Sequence, residues 1–256
     1  MNGSSQHRRG FSLIELMFSM AIGSIILILA ATMLGSSGDG YERVGGSVAS
    51  EREARALITQ LASDLSTAKF HQDTLIEKSS APWPTDRLGF LSLQPAAAQT
   101  EAKRIGDLCA VNYYIEDRQI GNKTVRRLMR GFRESNDTFN ALKADAVPPL
   151  FEKQRRIDEP IAFGVVSFEA RPRSRDAAGK WIDWVADPTN PTKGPEALDV
   201  KLVIARRELS GKLKTSADWN GSGTTGKLIG DPATPDRSKN LEVYRTTLRF
   251  GNHATL

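Results

Sequence analysis

The chain has 256 residues, 39% of them hydrophobic, which is enough for one soluble domain with its own core alongside a membrane segment. Its net charge of +5 spreads 35 basic residues among 30 acidic ones, with no basic helix carrying interleaved aromatics, so no nucleic-acid partner is expected. A single cysteine, Cys109, excludes an intramolecular disulfide.

Residues 11–34, FSLIELMFSMAIGSIILILAATML, are apolar on every face and carry one charge, Glu15. About 20 such residues cross a bilayer as a helix, so this stretch can span. Arg8 and Arg9 precede it, which places the N-terminus in the cytoplasm and everything beyond Leu34 outside. A secretory signal is cut after its apolar core, at small residues, whereas here the basic junction Arg8-Arg9-Gly10 comes before the core. Glu15 is a functional candidate, since a carboxylate at mid-bilayer costs about 2.5–3.5 kcal/mol and less near the interface.

The stretch at 35–40, GSSGDG, predicts a flexible break or a weakened helical turn. Helical spacing returns at 51–70, where Ala54, Leu57, Ile58, Leu61, Leu65 and Ala68 form one apolar stripe suited to packing on a sheet. Pro82 and Pro84 close this region, and strands are predicted from Leu88, Cys109 and Val125, the last two joined by a turn at 117–122. A short helix is expected within 135–149. A long strand then starts at Ile161, with Ala162, Gly164, Val166 and Phe168 on one face. A hairpin containing Trp181 and Trp184 leads to a strand from Ala197. Residues 211–240, rich in Gly, Ser, Thr, Pro and Asp, read as a mobile loop before a final strand at 241–250.

Several patterns suggest chemistry. Gly221, Gly226 and Lys227 fit part of a phosphate-binding loop, but Leu228 stands where the magnesium-binding hydroxyl belongs, and Pro232 and Pro235 forbid the helix such a loop needs. Asp183, Asp187, Glu196 and Asp199 could offer oxygen ligands to calcium, yet without a calcium-loop pattern they read as solvated carboxylates. His7, His71 and His253 lack metal-binding spacing. Cys109 reads as a buried strand residue. Trp181 and Trp184, three apart on a strand, should face opposite ways, one filling core and the other available to a partner. No catalytic, cofactor or metal site is expected, and the chain is not read as an enzyme.

The decapeptide RRGFSLIELM resembles the leader and methylation motif of type IV pilins and type II secretion pseudopilins. That resemblance implies cleavage between Gly10 and Phe11 by a prepilin peptidase, N-methylation of Phe11, and an assembly role for Glu15, paired with the terminal amine of a neighbouring subunit. It implies an α+β fold: a leader at 1–10, a transmembrane helix at 11–34, its continuation at 35–71, bent or weakened near 35–40, and an antiparallel β domain at 72–256, whose tail departs from the family pattern through the insertion near 211–240. Further matches resemble the J-type minor pseudopilins. These are Leu61 followed by DLSTA, the antiparallel pair at 109–132, Gly164-Val165 with Phe168, Trp181 with Trp184, and Pro195 with Leu198, Val200 and Leu202. The implied partners are prepilin peptidase, other minor and major pseudopilins, and the inner membrane, with the globular domain in the periplasm. A minor pilin of a type IV pilus or DNA-uptake system is the nearest alternative, and a membrane-anchored periplasmic enzyme or binding module is the alternative of another class.

Overall fold

The computed structural model describes residues 13–70, 72–187, 189–190 and 193–250, and the chain divides between Gly45 and Gly46 into two units. Helix α1, Leu13–Ser66, opens it. The break predicted at 35–40 is not there, and the helix is continuous through these residues. Each glycine costs about 1 kcal/mol relative to alanine, but no proline removes a backbone bond, so the hydrogen-bond ladder closes.

In the second unit the predicted stripe is the buried face of α1. Ala54, Leu57, Leu61 and Leu65 are fully buried and Ile58 packs beside them. Ala68 is buried too, but in strand β1 (Ala68–Lys69) rather than on the helix. The helix stops because the chain is captured by a sheet: the Thr67 and Ser92 hydroxyls lie 2.8 Å apart, and the Leu93 amide donates to the Thr67 carbonyl.

Strands β2 (Leu75–Glu77), β3 (Arg87–Leu93), β4 (Leu108–Ile120) and β5 (Lys123–Arg133) follow, then helix α2 (Ser135–Lys143) where the sequence predicts one, and β6 (Glu159–Phe163). They form an antiparallel sheet ordered β1-β3-β4-β5-β6, with β2 also on β3. The turn between β4 and β5 is shorter than predicted, only Gly121 and Asn122, with Ile120 opposite Lys123. Gly121 has φ +61°, the left-handed conformation that such two-residue turns require. Asp117 and Gln119 are thereby drawn into the strand, bonded across it to Arg126 and Thr124.

The single strand predicted from Ile161 is two strands. It splits at Gly164 (φ +68°), where the chain leaves the first sheet and enters a second. There β7 (Val165–Arg175), β8 (Trp181–Asp183), β9 (Ala197–Ala205) and β10 (Leu241–Arg249) make an antiparallel sheet ordered β10-β9-β7-β8. The pairing of β7 with β9 skips Val166, a bulge between Val165 and Ser167. This corrects the predicted common face: Ala162, Val165 and Phe168 join the main core with α1, while Val166 points into a separate cluster.

That second cluster overturns the mobile-loop expectation for 211–240. Leu213, Trp219 and Ile229 are fully buried against Trp83, Val203 and Leu241. The segment carries helix α4 (Ser216–Trp219), which follows α3 (Arg207–Ser210), and the Trp219 indole donates to the Thr124 carbonyl at 2.9 Å. A composition rich in turn residues here builds tight turns under a tryptophan anchor.

Strand β5 joins these parts through four arginines, two held by neighbouring acids of β4 and two by acids from elsewhere in the chain. Arg126 makes a two-pronged pair with Asp117 and also donates to the Trp219 carbonyl and Asn220 of the insertion. Arg127 meets Glu116 of β4 at 2.8 Å, and Arg133 meets Asp158 at 2.7 Å. Arg130 grips Asp64 of α1 through two bonds of 2.8 and 3.0 Å. Asp64 is fully buried and also accepts from the Tyr113 hydroxyl and the Gln94 amide.

Removing one member of a buried, hydrogen-bonded ion pair strands the other. Asp64→Ala is therefore expected to destabilise the full chain by about 3–5 kcal/mol in denaturant unfolding, with Asp64→Ala/Arg130→Ala less destabilised than the sum of the single changes. Burial and the Asp64 carboxylate push the Tyr113 phenol well above its usual 10.0. A raised folded value means stability is intact below about pH 10 and falls as pH climbs past it, which unfolding curves at graded alkaline pH will show.

Candidate functional site: the N-terminal apolar helix

The first unit is dominated by one feature. From Leu13 to Gly35, 23 residues of α1 form a stretch long and apolar enough to cross a membrane, about 34 Å at 1.5 Å per residue against a hydrocarbon core of about 30 Å. Its large side chains are turned outward all round: Leu13 is 78% exposed, Ile26 60% and Leu34 74%. A surface so evenly apolar suits lipid or the equivalent helices of neighbouring chains.

Polar groups in the span are handled internally. The hydroxyls of Ser19 and Ser24 donate at 2.8 Å to the carbonyls of Glu15 and Met20 one turn back, and that of Thr32 to Leu29. Such back-bonding hides a hydroxyl that would otherwise be costly in hydrocarbon. Glu15 lies in the first turn of the described helix, at the end where the span begins. A carboxylate is favoured at a helix N-terminus, where backbone amides point outward. Gly10 and Phe11, the predicted cleavage and methylation positions, lie outside the described residues.

The model of the prokaryotic N-terminal methylation motif matches residues 5–31, covering the junction, Glu15 and most of the span. The segment carries a prepilin-type methylation motif. This supports a place among type IV pilins and pseudopilins. It implies processing by prepilin peptidase and pilin-type assembly at a membrane, with the apolar helix as a single-pass anchor. The α+β architecture, an N-terminal apolar helix followed by antiparallel sheets, is that of a pilin-like fold. No curated protein matches the chain.

The other sequence patterns resolve into structural roles. The stretch at 221–227 wraps a carboxylate of its own chain: Asp218 accepts from the amides of Lys214, Thr215 and Thr225 and from the Thr215 hydroxyl. Burial raises the Asp218 carboxyl, but these donors outweigh it and hold the group below its usual range. The Thr225 amide is thus turned inward to Asp218, and Gly226 opens a turn of only four residues. Asp183 and Asp199 both engage Arg173, Asp187 accepts from the Thr189 amide and hydroxyl, and Glu196 faces Arg175. Among the described residues no three His, Cys, Asp or Glu side chains converge as metal ligands. All three histidines lie outside the described residues.

Neither hairpin tryptophan fills the core. Trp181 is half-buried with the Arg175 guanidinium 4.7 Å over its ring, and Trp184, past the end of β8, packs edge-on against Phe70. Trp83 and Trp219 take the core positions instead. The sequence reading missed Asp64, although its signal was visible: an acid three residues after Leu61 falls on the apolar stripe, where a charge must be paired.

Cys109 is fully buried, as expected of a strand residue. Burial, aided by Glu134 and Asp107, pushes its thiol up to about 12. Only roughly one part in 10,000 is then thiolate at pH 8, so maleimide should leave native protein unlabelled and react fully after denaturation.

Proposed function

We propose that this chain is a minor pseudopilin nearest the J type, an assembly subunit at the tip of a type II secretion-like periplasmic pseudopilus, with no catalytic activity of its own. The observation that carries this reading is the methylation motif at 5–31 falling on a 23-residue span whose lone acid, Glu15, sits at its entrance. In this reading the leader is removed between Gly10 and Phe11 and the new amine is methylated. The helix waits in the inner membrane with its N-terminus cytoplasmic and the sheet domain periplasmic. Glu15 then docks against the N-terminal amine of a neighbouring pseudopilin. Opposite charges attract far more strongly in a low-dielectric bundle than in water, so one such pair can select lateral register.

The J-type assignment draws support from Gly164-Val165 and Phe168, which sit where the chain changes sheets. Leu198, Val200 and Leu202 support it too, lining the main core from β9. A domain enlarged by a packed insertion suits a subunit used once at a tip better than one repeated along a shaft. Other subunits supply the energy and the remainder of the filament.

Mass spectrometry of the full chain produced with and without prepilin peptidase tests the first step. Peptidase-dependent material beginning at methylated Phe11 is expected, and a start at Met1 or a cut near Ala31 overturns the reading. Glu15→Ala is expected to be cleaved normally yet fail to co-purify with other pseudopilins from membranes, so undiminished co-assembly would contradict the assigned role.

A further inference from the structure

Sheet edges that expose unpaired backbone are normally short, covered or interrupted. Most edges here obey that rule. The strands beside β3 are two and three residues long. Strand β6 has five residues, includes Pro160, and has its Phe163 amide held by Glu53. Beside β7, β8 is three residues long, and the next stretch is covered by 84–86, where the Asp86 amide meets the Phe168 carbonyl and the Phe168 amide meets Pro84.

Strand β10 is the longest open edge among the described residues, with nine residues paired to β9 in unbroken register. The Arg206 amide bonds the Asn240 carbonyl and the Phe250 amide bonds Glu196, which fixes the phase of the ladder. Even-numbered residues of β10 exchange bonds with β9, so the amides and carbonyls of Val243, Arg245, Thr247 and Arg249 point away from the sheet. None of these groups has a hydrogen-bond partner among the described residues. Arg245, Thr247 and Arg249 are exposed.

The charge beside this edge is unbalanced. Arg171 pairs with Glu169, Arg173 with Asp183 and Asp199, and Arg245 with Asp236. Lys201, opposite Arg245 in the register, and Arg249 form no ion pair among the described residues. A groove of about 610 Å³ runs alongside, lined by Glu169, Arg171, Asp199, Lys201, Arg245 and Thr247. Two of the registers open to a second copy are unfavourable: symmetric pairing about Arg245 sets that residue against itself, and pairing about Thr247 sets Arg245 against Arg249, both like-charge contacts.

We propose that β10 is a docking edge that accepts an extended strand of a different protein, with Asp or Glu at alternate positions meeting Arg249 on the edge itself and Lys201 in the groove beside it. Backbone bonds to Val243, Arg245, Thr247 and Arg249 supply affinity, and the two cations supply selectivity. The inference does not rest on the filament reading above and stands or falls separately from the N-terminal mass.

The test uses the full chain in detergent micelles, hydrogen exchange at β10, and two synthetic peptides of alternating valine with aspartate or with lysine. The aspartate peptide should slow exchange of the Val243, Arg245, Thr247 and Arg249 amides at least tenfold, and the lysine peptide should not. Thr247→Pro removes an outward donor and keeps the β9 backbone ladder; it and Thr247→Val both lose the hydroxyl bond to Asp199, so the proline should abolish that protection at the melting temperature of the valine variant, which keeps it. Arg249→Glu, which leaves the edge backbone intact, should weaken binding of the aspartate peptide tenfold or more. Absent protection, equal protection by both peptides, or retention of binding in Arg249→Glu overturns the proposal. So does efficient homodimer cross-linking through Thr247→Cys, the accessible thiol in a chain whose Cys109 is buried.

Discussion

The pair between Asp64 and Arg130 is the constraint on which the second unit depends. It places a full charge from the helix against a full charge from the middle of β5, inside a core otherwise built of leucine, valine and aromatic rings. Apolar packing alone tolerates a helix sliding by a turn, because leucines at 3–4 residue spacing can exchange places. A two-pronged arginine–carboxylate contact does not, since any shift leaves both charges buried and alone. The helix is thereby indexed to the sheet.

The same strand indexes the rest. Arg127 and Arg133 engage Glu116 and Asp158 on one face of β5, while Arg126 reaches the insertion through the Trp219 carbonyl and Asn220. Each arginine ties a different segment to one rigid strand, and Asp64, Asp158 and Glu116 are satisfied by further donors. The insertion is held from below by this contact and by Trp219 among Trp83, Leu213 and Ile229, which is why turn-rich sequence yields packed structure.

The two units meet different solvent demands. The span from Leu13 to Gly35 keeps its backbone and hydroxyls bonded within itself and turns every large apolar side chain outward. The second unit buries its apolar groups and ranges ion pairs over its surface and through β5. A pilin-like subunit needs both, because the prepilin-type motif commits one end to membrane and to processing while the sheets present a folded body.

Sequence alone was enough for whatever depends on local order. The membrane span, the motif at its entrance, the stripe of Ala54, Leu57, Leu61 and Leu65, the helix at Ser135–Lys143, and the burial of Cys109 follow from composition and spacing within a few turns of chain. Tertiary structure decided whatever depends on distant partners. The division of one apparent strand at Gly164 required a second sheet to receive it, and the bulge at Val166 required a second cluster to fill. Ala68 joined a strand because Ser92 and Leu93 were there to capture it. The tryptophans of the 181–184 hairpin lost the core to Trp83 and Trp219 because burial is allotted by where the sheets meet, which spacing along one strand does not encode.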